Sequence, residues 1–191
     1  MSRIAHHLRP NERILWEGKP VKKAFILPTS IVPVIFGLFF LIPFLLFFLP
    51  TLLMGFFYGA FLFTLLWLLL PLALILGPTI WALMAFRNTE YIISDQRIIT
   101  QTGAIGIDTR FVDHEKIQEV YVRISFWDKI FGTGSIMAIT AGQVYLGAPQ
   151  GFGWGGQYGV RPSLAALREP YEVQRLLQEA IREAKQNRSQ I

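Results

Sequence analysis

Gly151, Gly153 and Gly156 fall at the spacing G-x-G-x-x-G. In a dinucleotide site such glycines let the backbone approach a pyrophosphate, and the turn opens straight into a helix whose N-terminus meets that anion. Here Gly159 and Pro162 follow, and helical periodicity does not begin until about Val173. A flexible loop is the expectation, without a nucleotide. Asp113-His114-Glu115 brings an imidazole between two carboxylates, groups suited to acid/base work or to a metal. Adjacent residues on a strand or turn point in different directions, and no second histidine lies nearby, so a solvated turn is expected. His6 and His7 belong to an N-terminal tail and are read as solvated. The chain has no cysteine and no Gly-x-Ser-x-Gly sequence, which removes thiolate chemistry and the nucleophile elbow. No catalytic residue, metal ligand or cofactor is expected from these residues.

Phe152, Trp154 and Tyr158 form a different kind of candidate. They lie among Gly147, Gly151, Gly153, Gly155, Gly156 and Gly159, with Arg161 just beyond. A regular strand cannot bury all three rings. Exposed, they would suit a protein contact or a membrane interface, where amphipathic rings are favoured. Packed back over an open sheet edge, they would be core. Both readings are open at this point, and the four residues are the candidate partner-binding set.

The elements that must carry these residues are set by composition. The 191 residues are 52% hydrophobic and 16% charged, with mean hydropathy +0.41. From Ala24 to Phe86 no Lys, Arg, Asp, Glu or His occurs. A wholly soluble or disordered chain is excluded by that stretch. It has room for two spans of about 20 residues and a connection. Leu49-Pro50-Thr51 and Gly55 to Gly59 mark the turn, giving spans from about Phe25 to Leu49 and from about Ala60 to Phe86. Prolines 28, 33, 43, 71 and 78 imply kinks. Within the spans only Thr29, Ser30, Thr64 and Thr79 are hydroxylic, which favours an anchor over a transport path.

Charge sets the expected orientation. Residues 1–23 hold six bases and two acids, net +4; residues 87–191 hold twelve bases and eleven acids, net +1. Lys19, Lys22 and Lys23 precede the first span, Arg87 follows the second, and the turn is uncharged. Both basic flanks are therefore expected on the cytoplasmic side of the plasma membrane, facing anionic headgroups. The near-neutral C-terminal part lacks the basic face that a nucleic-acid partner would need. The length and position of the apolar run do not fit a cleaved signal peptide.

After the spans, Tyr91–Ser94 and Arg97–Thr100 read as β-branched strands joined across Asp95-Gln96. A weaker strand follows at 107–112, and 117–124 alternates well, with Val120, Val122 and Ile124 expected on one face. Ser125–Phe131 fits one helical turn closed by Gly132 and Gly134. Ser135–Ala141 reads as a strand, with Val144–Leu146 as its expected partner. Val173, Leu176, Leu177, Ala180, Ile181 and Ala184 make one helical stripe, with Pro170 and Glu172 in its first turn.

The order of these pieces resembles the bacterial pleckstrin-homology-like membrane proteins. Ile14-Leu15-Trp16-Glu17-Gly18-Lys19-Pro20 is similar to their leading segment, and Tyr91 to Ile99 is similar to their tyrosine-x-isoleucine-threonine-x-x-arginine core. Ile117–Val122 and Ile130–Ile136 match the later strand and glycine corner, whereas Gly142–Gly159 departs from the pattern. The resemblance implies an α+β fold: a two-helix transmembrane pair, then a partly open β-barrel of about seven strands, capped by the C-terminal helix. It divides the chain into a basic segment 1–23, spans 24–86 and a PH-like domain 87–191. It implies no catalytic residues, and some such proteins resemble assembly factors for membrane complexes. The first hairpin, Ser94-Asp95-Gln96-Arg97, lacks the run of bases expected for phosphoinositide binding. A membrane-anchored interaction or assembly module is thus expected, its partners the lipid bilayer and a membrane or membrane-associated protein. The alternative is an enzyme or transporter component acting on a membrane-borne substrate.

Overall fold

The computed structural model describes residues 8–48, 50, 60–140 and 163–189. The chain divides into two compact units: residues 1–25 with 84–191, and residues 26–83. Among the described residues the first unit carries seven strands in two antiparallel sheets that do not close on each other. Strands β1 (Ile14–Gly18), β2 (Glu90–Ser94), β3 (Arg97–Thr102) and β4 (Asp108–Asp113) form one sheet in that order. Strands β5 (Ile117–Arg123), β6 (Gly134–Thr140) and β7 (Ser163–Leu167) form the other.

Alternation along β2 and β3 explains how one sheet serves two apolar clusters. Successive side chains point to opposite faces. Tyr91, Ile93 and Ile98 therefore join the main core with Ile117, Ile136, Ala138, Leu164 and Leu167 of the second sheet. Ile92 pairs with Ile99 on the other face, where Leu8 packs against them. The long amphipathic helix covers the main core through Val173, Leu177 and Ile181. Its range is Pro170–Ser189. Gln174 Nε2 donates to Val120 O at 3.2 Å and Lys185 Nζ to Ile117 O at 3.0 Å, stitching it to β5.

Two strands differ from the sequence expectation. The N-terminal segment is not a separate basic stretch: residues 14–18 are edge strand β1, with Gly18 opposite Tyr91. The strand beside β6 is β7, while the expected partner 144–146 lies outside the described residues. In β7, Ala166 takes a left-handed conformation (φ 54°), and its carbonyl accepts from Val21 N at 2.8 Å. Val120 and Val122 pack on the core as expected, but Ile124 is exposed. Ser125 and Asp128 cap the short helix Phe126–Phe131 reciprocally, and Gly132 ends it in the left-handed region.

Numbering helices in chain order, α1 is Lys22–Pro43 and α2 is Ala60–Arg87, α3 is Phe126–Phe131 and α4 is Pro170–Ser189. One π-helical turn, Phe44–Phe48, continues α1 past Pro43. In the second unit α1 and α2 approach closely at Gly37, where a Cβ would meet Ile75 and come within 2.9 Å of Pro71 O. Small residues permit such contacts between apolar helices. Thr79 Oγ donates to Ile75 O at 2.8 Å, satisfying its hydroxyl within the helix. The outward side chains are large and apolar: Phe39 is 69% exposed and Leu46 66%.

Candidate functional site

The polar groups that the sequence places around the first hairpin converge on Glu12. The turn Arg9-Pro10-Asn11-Glu12 closes with Glu12 N donating to Arg9 O at 3.1 Å. Proline at the second position and an asparagine of φ 68° at the third suit a type II turn. This turn presents the Glu12 carboxylate to the β2–β3 hairpin. Arg97 Nε donates to Oε1 and Arg97 Nη2 to Oε2, both at 2.9 Å, a two-pronged pair. Ser94 Oγ donates to Oε1 at 2.6 Å, and Arg9 N to Oε2 at 2.7 Å. The guanidinium also lies over the Phe111 ring, 4.6 Å from its centroid. Arg13 N to Asp95 Oδ1 and Asp95 N to Arg13 O complete the strap between the N-terminal segment and the hairpin turn.

His114 sits beneath this clasp with none of its surface exposed. It opens a 3-10 turn, His114–Lys116, and so the expected solvated turn is corrected at this residue. The reason is long-range: strands distant in sequence enclose the ring. Nε2 lies 2.8 Å from Ser94 O, a carbonyl that can only accept, so the proton belongs on Nε2. Nδ1 has no hydrogen-bond partner among the described residues. The expected solvation holds for its neighbours: Glu115 and Lys116 are exposed.

The clasp leaves little for a ligand to grip. The Glu12 side chain is wholly enclosed and that of Arg97 is 8% exposed. A base of a lipid-headgroup site would face water, whereas Arg97 faces a carboxylate. Tyr91 is also internal, its hydroxyl accepting from Ala165 N at 3.2 Å and joining β2 to β7. No group of three His, Asp or Glu side chains is arranged for a metal among the described residues.

Of the expected membrane-surface bases, Lys19 pairs with Glu90 at 2.7 Å, while Lys22, Lys23 and Arg87 are exposed. Phe152, Trp154, Tyr158 and Arg161 lie outside the described residues. Glu12 and the burial of His114 were missing from the sequence reading. Pro10-Asn11 was the available turn signal for the first.

The sequence pattern of the family described as bacterial PH domain matches residues 26–181. The chain belongs to that family. The match begins within α1, takes in α2 and ends within α4. Glu12 and β1 lie outside it, so the bacterial PH domain is completed here by residues that precede the matched region. A solved structure similar in part is a DUF1696 family protein with a pleckstrin-homology domain from Shewanella loihica PV-4. It is 9% identical, covers 49% of this chain and 70% of its own, and has a TM-score of 0.33. No curated protein matches.

The clasp predicts acid sensitivity. Burial lowers the His114 pKa below its ordinary value, outweighing the Ser94 carbonyl and the charges of Asp95, Asp113 and Glu12, which raise it. Burial alone would raise that of Glu12, but hydrogen bonds from Arg97, Arg9 N and Ser94 bring it below the usual range. Below about pH 6.5 the unfolded chain takes up a proton that folded His114 refuses, so stability falls as pH falls. Glu12 stabilises above its unfolded pKa and adds to the loss at lower pH. Denaturation of the full chain in detergent should show this decline from about pH 6.5 downward, and His114→Gln should flatten its upper part. An unchanged slope in that variant would contradict the assignment.

Proposed function

We propose that this bacterial PH domain protein is a membrane-anchored, non-enzymatic interaction or assembly module that holds a partner protein at the cytoplasmic face of the plasma membrane. One observation carries the reading. Two helices of span length expose their apolar side chains, and the domain joined to them spends its motif residues on its own clasp. Soluble monomers rarely show apolar patches beyond a few hundred Å². Helices with Phe39 and Leu46 turned outward are stable when acyl chains cover them. Lys22, Lys23 and Arg87 then meet the headgroups on the side that carries both termini. Reporter fusions at Met1 and Ile191 should both read cytoplasmic; opposite readings would sink the two-span arrangement.

The partner surface is assigned to Phe152, Trp154 and Tyr158 with Arg161. The support is sequence alone: large rings among glycines gain burial from a partner more readily than from a regular strand. Changing the three rings to serine should abolish partner recovery in a mild-detergent pull-down while leaving thermal stability nearly unchanged. A fall of several kcal/mol would instead mark the rings as core.

A further inference from the structure

Strand pairing gathers three parts of the chain at one end of the four-stranded sheet. Gly18 lies opposite Tyr91, Glu90 opposite Gln101, and Thr102 opposite Asp108. The exit toward α1, the return from α2 and the β3–β4 loop therefore share that end. The loop, residues 103–107, is Gly-Ala-Ile-Gly-Ile and carries no charge. Asn88, the first residue after α2, holds it: Nδ2 donates to Gly103 O at 3.1 Å and to Ala104 O at 3.4 Å. Gly103 has φ 145°, and a Cβ there would collide with Gly106 O, so the tight loop needs this glycine.

The loop turns its apolar side chains outward. Ile105 is 80% exposed, the highest value for a large hydrophobic residue among those described, and Ile107 is 53% exposed. The nearest acid is Asp108 at the start of β4, also exposed. Lys22, Lys23 and Arg87 stand at the chain's passage into the apolar helices.

We propose that the β3–β4 loop inserts Ile105 and Ile107 into the interfacial layer of the bilayer beside the ends of α1 and α2. The occupant is lipid because the loop is tied to the residue that follows a helix of span length, and because the exposed bases Lys22, Lys23 and Arg87 at the helix ends match anionic headgroups. This rests on the spanning reading of the helices. A two-isoleucine loop adds a third attachment point, which restricts how the domain pivots about its two covalent tethers. Insertion to the boundary of headgroups and acyl chains reaches about 5–10 Å, within the span of a short loop.

Because the chain has no cysteine, a single label reports one site. The full chain carrying Ile105→Cys and a nitrobenzoxadiazole label would be reconstituted in vesicles of phosphatidylcholine and phosphatidylglycerol. Some vesicles would carry nitroxide near the headgroup and others nitroxide deep in the acyl region. Ile107→Cys would serve as a second labelling site. Gln96→Cys, at the opposite sheet end roughly 17 Å away, is the distal control. Leu74→Cys, midway along α2, reports the span. Expected are a blue-shifted emission at 105 and 107 with shallow nitroxide the stronger quencher, no quenching at 96, and deep nitroxide the stronger quencher at 74. Deep quenching at 74 with residues 105 and 107 behaving like 96 would overturn the loop inference and leave the span intact. A blue shift at 105 without nitroxide quenching would mean a protein cover, which also overturns it. No quenching at 74 would overturn the spanning reading and the loop inference with it.

Discussion

Glu12→Ala is expected to cost about 3–5 kcal/mol, because it leaves a buried guanidinium without the carboxylate that neutralises it. The same change removes the acceptor for Arg9 N and the nearer of two for Ser94 Oγ, so the turn before β1 loses its hold on the hairpin. Glu12→Gln should be milder, since an amide oxygen can still accept from Arg97 while supplying no charge. Replacing both partners, Glu12→Leu with Arg97→Met, should recover much of the loss, as apolar groups of similar volume often substitute well for a buried pair. Thermal unfolding of the full chain in detergent reads all three variants. Equal stability of Glu12→Ala and the parent would show that β1 is held by something else. The variant also tests the missing ligand role: a clasp loses stability, whereas a headgroup site would lose lipid affinity with the fold intact.

Leu177→Asp should be at least as severe. Leu177 has no exposed surface and lies in the cluster with Tyr91, Ile136 and Leu164, so a carboxylate there is buried without a partner. The cost is several kcal/mol, enough to consume most of the stability of a domain this size. Loss of folded protein, seen as degradation in cells and lost cooperative unfolding in detergent, is the expected result. A stable variant with only weaker membrane association would mean that α4 lies on lipid. Leu177→Ala separates the effects, because a cavity at this position should cost about 2–5 kcal/mol without introducing charge.

What the sequence made legible follows from the range of the interactions. The β2–β3 hairpin, α3 and α4 are written in local patterns: β-branched runs around Asp95-Gln96, a capping pair at Ser125 and Asp128, and one stripe from Val173 to Ala184. The two apolar helices were visible because a long uncharged stretch needs no partner to declare itself, but α1 begins at Lys22 and gives way to a π-helical turn after Pro43, where a span from about Phe25 to Leu49 was expected. Strand β1 was not legible as a strand. Its five residues have one tryptophan and one glycine, and their ladder partner stands more than seventy residues later in the chain. Strand β7, Ser-Leu-Ala-Ala-Leu, has weak β propensity and reads equally well as helix. Tyr91, Ser94 and Arg97 were recognised as a pattern, but the role of Ser94 and Arg97 depends on Glu12, which lies across the apolar stretch, and that of Tyr91 on Ala165 of β7. His114 looked solvated because its sequence neighbours are charged; its enclosure comes from Ser94, twenty residues earlier.

The pairing of Gly18 with Tyr91 has a consequence for synthesis and topology together. A chain that leaves a sheet at one residue and returns beside it must, if the intervening stretch enters a bilayer, cross it an even number of times. The constraint comes from a backbone ladder and owes nothing to flanking charge, so changing Lys22, Lys23 and Arg87 could invert the whole protein but could not separate its ends while β1 stays paired. It also orders the events of biogenesis. Glu12 and β1 emerge first and must wait for the partner strand until both apolar helices have been made. Closing so long a connection in free solution carries an entropic cost that grows with the logarithm of its length. A helical pair already seated in the bilayer would bring the two ends together in advance, so insertion should precede the pairing of β1 with β2.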